Sequence, residues 1–206
     1  MADCAENKEK ATPNQELLSD KPASAPDQQK DSPPSGQPAE ERVKESTGPA
    51  IRAEKPRATI SGNSLTFSGK TYPVFRSGGL MWMAKNLDYQ VAVGSSCYGG
   101  NAANCQKYGR LYTWAAAKKA CAAMGWRLPA AGEWEAMAKQ GLDGFSAQLG
   151  GWRDDGGGFK FLDKSGYYWS SAENALGLIH VYYFTGGEME LVKNDPRHGY
   201  LCRCVK

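Results

Sequence analysis

The sequence predicts an α+β domain over residues 57–206, with two helices and a small antiparallel sheet, preceded by a disordered N-terminal tail over residues 1–56. Three observations predict it. All 22 aromatic residues (6 Trp, 10 Tyr, 6 Phe) lie at or after Phe67. Two stretches of helical periodicity sit in the middle of this aromatic block. On either side, short β-branched and aromatic runs alternate with Gly, Asn and Asp turn residues.

Residues 1–56 hold eight of the 11 prolines and no aromatic residue. Such a segment cannot bury enough apolar surface to offset its chain entropy, so a Pro/Ser/charged tether is expected there. It carries 8 Lys/Arg against 11 Asp/Glu, whereas residues 57–206 carry 17 against 11. A surplus of six positive charges over 150 residues, without a basic run, excludes a nucleic-acid-binding surface as the expected function. A block of 150 residues is long enough to bury roughly two thirds of its unfolded surface.

Order is expected from about Thr59. Leu65–Phe67 and Thr71–Phe75 are strands around the hairpin signal Ser68-Gly69-Lys70, and Leu80–Met83 is a third, densely apolar strand. Residues 93–108 are expected to form a loop in which Gly99-Gly100-Asn101 bends the chain, so that Cys97 and Cys105 can form a local disulfide. Thr113 is the N-cap of a helix over Trp114–Met124, whose buried stripe is Trp114, Ala117, Cys121 and Met124. Gly125 ends this helix at C′. Cys121 therefore faces the core, as a disulfide or as a packed thiol.

A second helix, about Ala131–Gln140, buries Trp134, Met137 and Ala138. Its Glu133 stands where the acidic half of a capping box belongs, but Ala130 occupies the position of the usual Ser or Thr. From Leu149 the chain turns β-rich. Gly150–Arg153 and Phe159–Leu162 flank the Asp154–Gly158 turn. Tyr167–Ser171, Leu178–Thr185, Glu188–Lys193 and Tyr200–Val205 are further strands, with Gly186-Gly187 as a tight turn and residues 194–199 as a longer loop.

Five cysteines in the block match no common zinc spacing, and only His180 and His198 could assist them, so no metal is expected. An oxidising compartment fits better, hence an extracellular or cell-envelope location. Residues 1–30 contain no apolar run of signal-peptide type. Unconventional export or a leader removed before Met1 would account for this, and Cys4 ahead of a long polar segment is a candidate lipidation site, the only membrane attachment expected.

The motifs W-M-A-x-N-L (Trp82 to Leu87), Y-G-R-L-Y-T-W-A-A-A (Tyr108 to Ala117) and C-x-x-x-G-W-R-L-P (Cys121 to Pro129) occur in that order. Glu133-Trp134, G-G-W-R (Gly150 to Arg153), Y-Y-W-S-S (Tyr167 to Ser171) and R-C-V-K (Arg203 to Lys206) follow. This series closely resembles the Fibrobacter succinogenes major paralogous domain, a bacterial family of surface or secreted proteins, over about residues 60–206. The resemblance implies a C-type-lectin-like fold, related to the formylglycine-generating-enzyme type. It also implies a Cys121–Cys204 disulfide and a Cys97–Cys105 pair. Cys202 departs from the pattern. It lies on the same strand face as Cys204 and competes with it for Cys121, and the expectation is a buried free thiol.

Trp82, Trp114, Trp126, Trp134 and Trp169 are expected in the core. Trp152 borders a glycine-rich turn beside Arg153, Asp154 and Asp155, where its face could stack on a sugar ring. Glu173-Asn174, Glu188, Glu190 and Asn194-Asp195 echo the composition of lectin calcium sites, but calcium needs six to eight converging oxygens and the motifs are incomplete, so no cofactor is expected. Cys202-Arg203-Cys204 would suit catalysis if Arg203 favoured a thiolate, yet Cys204 is better used in a disulfide and neither His has a nucleophile beside it in the sequence. The expected function is a non-catalytic recognition module that binds polysaccharide or a surface protein. Its loops would be 152–164, 173–177 and 194–198, with Trp152, Arg153, Asp154, Asp155, Glu173, Asn174, Asn194, Asp195, Arg197 and His198 as contacts. A structural role in the cell envelope is the alternative.

Overall fold

A computed structural model describes residues 57–206 apart from 143, 186 and 187. The expected tail over 1–56, with Cys4, and the Gly186-Gly187 turn lie outside the described residues. The domain is α+β, with three α-helices rather than two and more sheet than expected.

The first sheet is an antiparallel meander of β1 (Thr59–Ser61), β2 (Ser64–Phe67), β3 (Lys70–Ser77) and β4 (Leu80–Met83). Leu65, Phe67, Tyr72 and Val74 alternate with exposed neighbours, which fixes the register of β2 and β3. The second sheet has five strands: β7 (Gly150–Arg153), β8 (Phe159–Leu162), β9 (Gly166–Glu173), β10 (Ile179–Thr185) and β11 (Glu188–Asn194). Their spatial order is β11-β10-β9-β7-β8. It is mixed, because β7 runs parallel to β9. A two-stranded ribbon joins β5 (Ser95–Ser96) to β6 (Leu111–Tyr112).

The expected loop 93–108 contains a 3-10 turn, Tyr98–Gly100, and a helix, α1 (Ala102–Tyr108). The side chain of Asn101 caps α1 by accepting from the Ala103 N–H at 2.9 Å. Asn101 thus starts a helix where the glycines before it suggested only a bend. The next helix, α2 (Trp114–Ala123), begins on Thr113, whose hydroxyl accepts from the Ala116 N–H, and stops before Gly125 at φ +75°. Trp114 is only partly buried: Lys118 Nζ lies 3.3 Å from its ring centroid and its Nε1 donates to Ser170 O. The third helix, α3 (Ala131–Lys139), buries Trp134 and Met137, whereas Ala138 is half-buried.

The C-terminal segment departs most from expectation. Tyr200–Val205 is not a strand of a sheet; it is an extended thread through the middle of the domain. Its backbone groups are divided among six partners. Tyr200 exchanges both bonds with Tyr112, and Leu201 bridges Tyr167 and Trp169. Cys202 O accepts from Leu87 and Cys204 O from Met83, while Val205 exchanges both bonds with Arg127. A chain with partners on all sides satisfies its polar groups without forming one ladder. Residues 200–205 are all buried, so both core regions meet on this thread.

Both disulfides are present. Cys97–Cys105 ties the 3-10 turn to α1, and Cys121–Cys204 ties α2 to the thread, leaving Cys202 as a buried free thiol. They fit an oxidising environment. Among the described residues no helix is long and apolar enough to cross a membrane.

Candidate functional site

The second sheet presents one row of side chains that crosses all its strands. Alternation along β10 sends Tyr182 and Phe184 to the face packed on Trp134, and Val181 and Tyr183 to the opposite face. Tyr183 pairs with Tyr167 on β9 and with Glu190 on β11. The single β7–β9 pair, Gly151 with Gly166, sets Trp152 beside Tyr167, and Trp152 pairs with Lys160 on β8. The row therefore reads Lys160, Trp152, Tyr167, Tyr183, Glu190. Its three aromatic rings are partly exposed, at centroid distances of 6.0 Å for Trp152–Tyr167 and 4.7 Å for Tyr167–Tyr183.

The row rests on a rigid floor. Beyond the Gly151–Gly166 pair the C-terminal thread wedges between β7 and β9: Gly199 exchanges both backbone bonds with Arg153, and Leu201 bonds to β9. This places the buried Tyr200 ring 5.9 Å from Trp152 and 5.2 Å from Tyr167. Gly151 has no alternative here. Its φ is +63°, and a Cβ would stand 2.4 Å from Lys160 O and 2.8 Å from the Tyr98 ring. Tyr98, fixed by the Cys97–Cys105 bridge, also packs on Phe159 of β8 at 5.0 Å.

Charged groups rim the Trp152 end. Lys160 Nζ lies 4.9 Å from the Trp152 ring centroid and 3.2 Å from Asp154 Oδ2. Asp154 Oδ1 accepts from the Gly158 N–H at 2.6 Å, closing the turn, and that bond with Lys160 behind it holds the carboxyl below its ordinary range. Arg197 joins Asp155 at 3.3 Å and Asp195 at 2.7 Å. Its guanidinium and its backbone N–H bring the Asp195 pKa down to about 2. His198 lies 5.1 Å from the Trp152 ring, and its Nδ1 is 3.0 Å from the Tyr200 hydroxyl.

Seven of the expected contacts are thus brought together: Trp152, Arg153 (through its backbone), Asp154, Asp155, Asp195, Arg197 and His198. Three are not. Glu173 is the last residue of β9 rather than part of a loop, and it pairs with Ile179, four residues along β10 from Tyr183, roughly 13 Å away. Asn174 spends its side-chain oxygen on the Leu176 and Leu178 N–H groups of its own turn. Asn194 ends β11 opposite Ile179, and its side chain makes no hydrogen bond among the described residues. Tyr167 and Tyr183 were missed by sequence reasoning. Each sits in a run of neighbouring aromatics, Tyr167-Tyr168-Trp169 and Tyr182-Tyr183-Phe184, and only the pairing shows which member faces outward.

Among the described residues no three carboxylate or imidazole groups converge as a metal site would require. The three ligating groups that do converge are Cys121, Cys202 and Cys204, two of which share the disulfide. Arg203 does not serve a thiolate. Its Nε donates to Asn86 Oδ1 at 2.7 Å and its Nη2 to Ser146 O at 2.8 Å, while Nη1 donates to Phe145 O. Burial pushes the Cys202 thiol up, away from the thiolate. A scan against protein-family models, a search of curated proteins and a search of solved structures each find no match to this chain.

Proposed function

We propose that the domain is a non-catalytic recognition module that binds carbohydrate across the Trp152–Tyr167–Tyr183 row. The observation that carries this reading is the row itself. Three partly exposed rings stand on adjacent strands of one sheet, on a floor of buried aromatics. An aromatic face stacks on the C–H face of a sugar ring, and flanking carboxylates and guanidinium groups hydrogen-bond its hydroxyls. Asp154, Asp155, Asp195 and Arg197 supply such groups at the Trp152 end, and Glu190 stands at the other. A surface built on strands and closed by ion-paired turns loses little entropy on binding.

The motif series supports membership of the Fibrobacter succinogenes major paralogous domain, with its C-type-lectin-like fold and surface location. The two disulfides agree with the extracellular or envelope setting in this reading. Cys4 is its acyl acceptor, and mass spectrometry of native protein tests that point, since an unmodified Met1 removes it.

A glycan array with the whole chain tests binding. Polysaccharide hits are expected, abolished by Trp152→Ala and weakened by Tyr183→Ala, with near-UV circular dichroism unchanged. An array without hits overturns the reading in favour of a structural role in the envelope. Hits that survive Trp152→Ala place the site elsewhere.

A further inference from the structure

Two adjoining clefts, of about 310 and 300 Å³, open beside the first sheet and share Lys70, Tyr72 and Asp88. One adds Tyr89, Gln90 and Arg110 to the wall; the other adds Lys85 and Gln106. None of these residues belongs to the aromatic row. The volumes fall at the small end of ligand pockets, about 300–1,000 Å³, which suits a single ring.

The floor is Asp88, only 8% exposed. Its carboxylate forms an ion pair with Lys70 and lies 3.1 Å from Arg110 Nε, while its backbone N–H donates to the Tyr72 hydroxyl at 3.3 Å. One buried anion thus holds two cations at the cleft wall, and Lys85 brings a third. Across the two clefts three positive charges face one negative charge, a surplus of two.

Its donors also exceed its acceptors. The Arg110 Nε is buried, yet its direction toward Asp88 is too poor for a hydrogen bond, and Asp88 Oδ1 is left without one as well. Arg110 Nη2 donates to Gln90 at 3.2 Å, whereas Nη1 makes no hydrogen bond among the described residues. Lys85 makes neither an ion pair nor a side-chain hydrogen bond there among the described residues. A planar guanidinium with an open edge and a free ammonium are the groups that recognise an oxyanion.

We propose that these two adjoining clefts form a second binding site, separate from the aromatic row, for a small single-ring ligand bearing a carboxylate or a phosphate. The ligand spans the shared Lys70–Asp88 wall, which holds the site in place; Arg110 and Gln90 meet it in one cleft, Lys85 and Gln106 in the other, and the two cations together favour its oxyanion.

Titration of the full chain with glucuronate, glucose 6-phosphate and glucose, followed by NMR shifts at low salt, tests the proposal. At least one acid should bind saturably and glucose should not, and added salt should weaken the binding. The acid that binds identifies the headgroup. Lys85→Gln and Arg110→Gln should each weaken it about tenfold, and Trp152→Ala should leave it unchanged, which keeps this site distinct from the aromatic row. Should Arg110→Gln unfold by stranding Asp88, Lys85→Gln decides alone. Binding of neither acid, equal binding of glucose, or an unaltered affinity in Lys85→Gln overturns the proposal.

Discussion

Cys202 Sγ lies 3.5 Å from Cys121 Sγ, the sulfur already bonded to Cys204. A third buried sulfur is therefore poised beside the bridge, 3.9 Å from Cys204 Sγ as well. The Cys121–Cys204 bridge spans 83 residues of sequence, and closing a loop of that length stabilises by about 4.5 kcal/mol on the chain-entropy model.

Cys204→Ser should consequently cost little, because Cys202 can bond to Cys121 in its place and close almost the same loop. Cys121→Ser removes both options and should lower stability by about 4 kcal/mol in denaturant melts. Peptide mapping of Cys204→Ser under oxidising refolding checks the exchange. If Cys121 and Cys202 both remain free, the two sulfurs cannot reach each other and the idea fails. In the native protein Cys202 should resist thiol reagents until unfolding.

Arg203 is fully buried, and no carboxylate pairs with it among the described residues. Its guanidinium is satisfied by Asn86 Oδ1 and the Met83, Phe145 and Ser146 carbonyls and lies 3.9 Å from the Phe145 ring centroid. Burial lowers its pKa to about 10, still protonated at neutral pH. Arg203→Met would strand three backbone carbonyls and the Asn86 amide oxygen, at a cost of about 3–5 kcal/mol. Urea melts measure this, and a loss below about 1 kcal/mol would show that water replaces the side chain.

The fate of Arg203 shows what the sequence could and could not disclose. Cap residues and periodicity act within a few positions, so Thr113, Gly125 and the Asp154–Gly158 turn were readable from local chemistry. The aromatic spacing in β7, β9 and β10 was equally visible, but its outward face depends on register between strands far apart in sequence. The C-terminal thread was unreadable for the same reason. Its alternation resembles a strand, while its six separate partners come from residues 83 to 169, which no local pattern brings together. Arg203, next to two cysteines, suggested chemistry at sulfur; extended backbone sends neighbouring side chains to opposite faces, and its guanidinium went to the carbonyls instead.

Helix α3 starts on half a capping box. Glu133 accepts from the Ala130 N–H at 2.7 Å, but Ala130 has no side-chain oxygen to return the bond. Its backbone, at φ −73° and ψ 162°, already has the extended geometry of an N-cap. Ala130→Ser should therefore add about 1 kcal/mol and raise the melting temperature. An unchanged or lower value would mean that the hydroxyl cannot reach the N3 amide.

Glu133 also makes this helix start sensitive to acid. Its carboxylate receives Arg127 Nη1 at 2.7 Å and Nη2 at 2.6 Å in addition to the Ala130 N–H. Arg127, then the backbone bond, lowers its pKa below the ordinary value of about 4.5. An acid with a depressed folded pKa stabilises fully above its unfolded pKa, and that stability is lost as pH falls through the folded value. The contribution is therefore present at neutral pH and fades below about pH 4.5. Because Arg127 is half exposed, solvent screening keeps the pair's share small, and Glu133→Gln should cost about 1 kcal/mol at pH 7. As pH falls through the depressed folded value the difference between Glu133→Gln and the native chain should shrink, since the carboxyl then becomes neutral as well. Melting temperatures of the two proteins measured across that range supply the check, and a gap that stays constant with pH would remove the carboxylate's charge from the account.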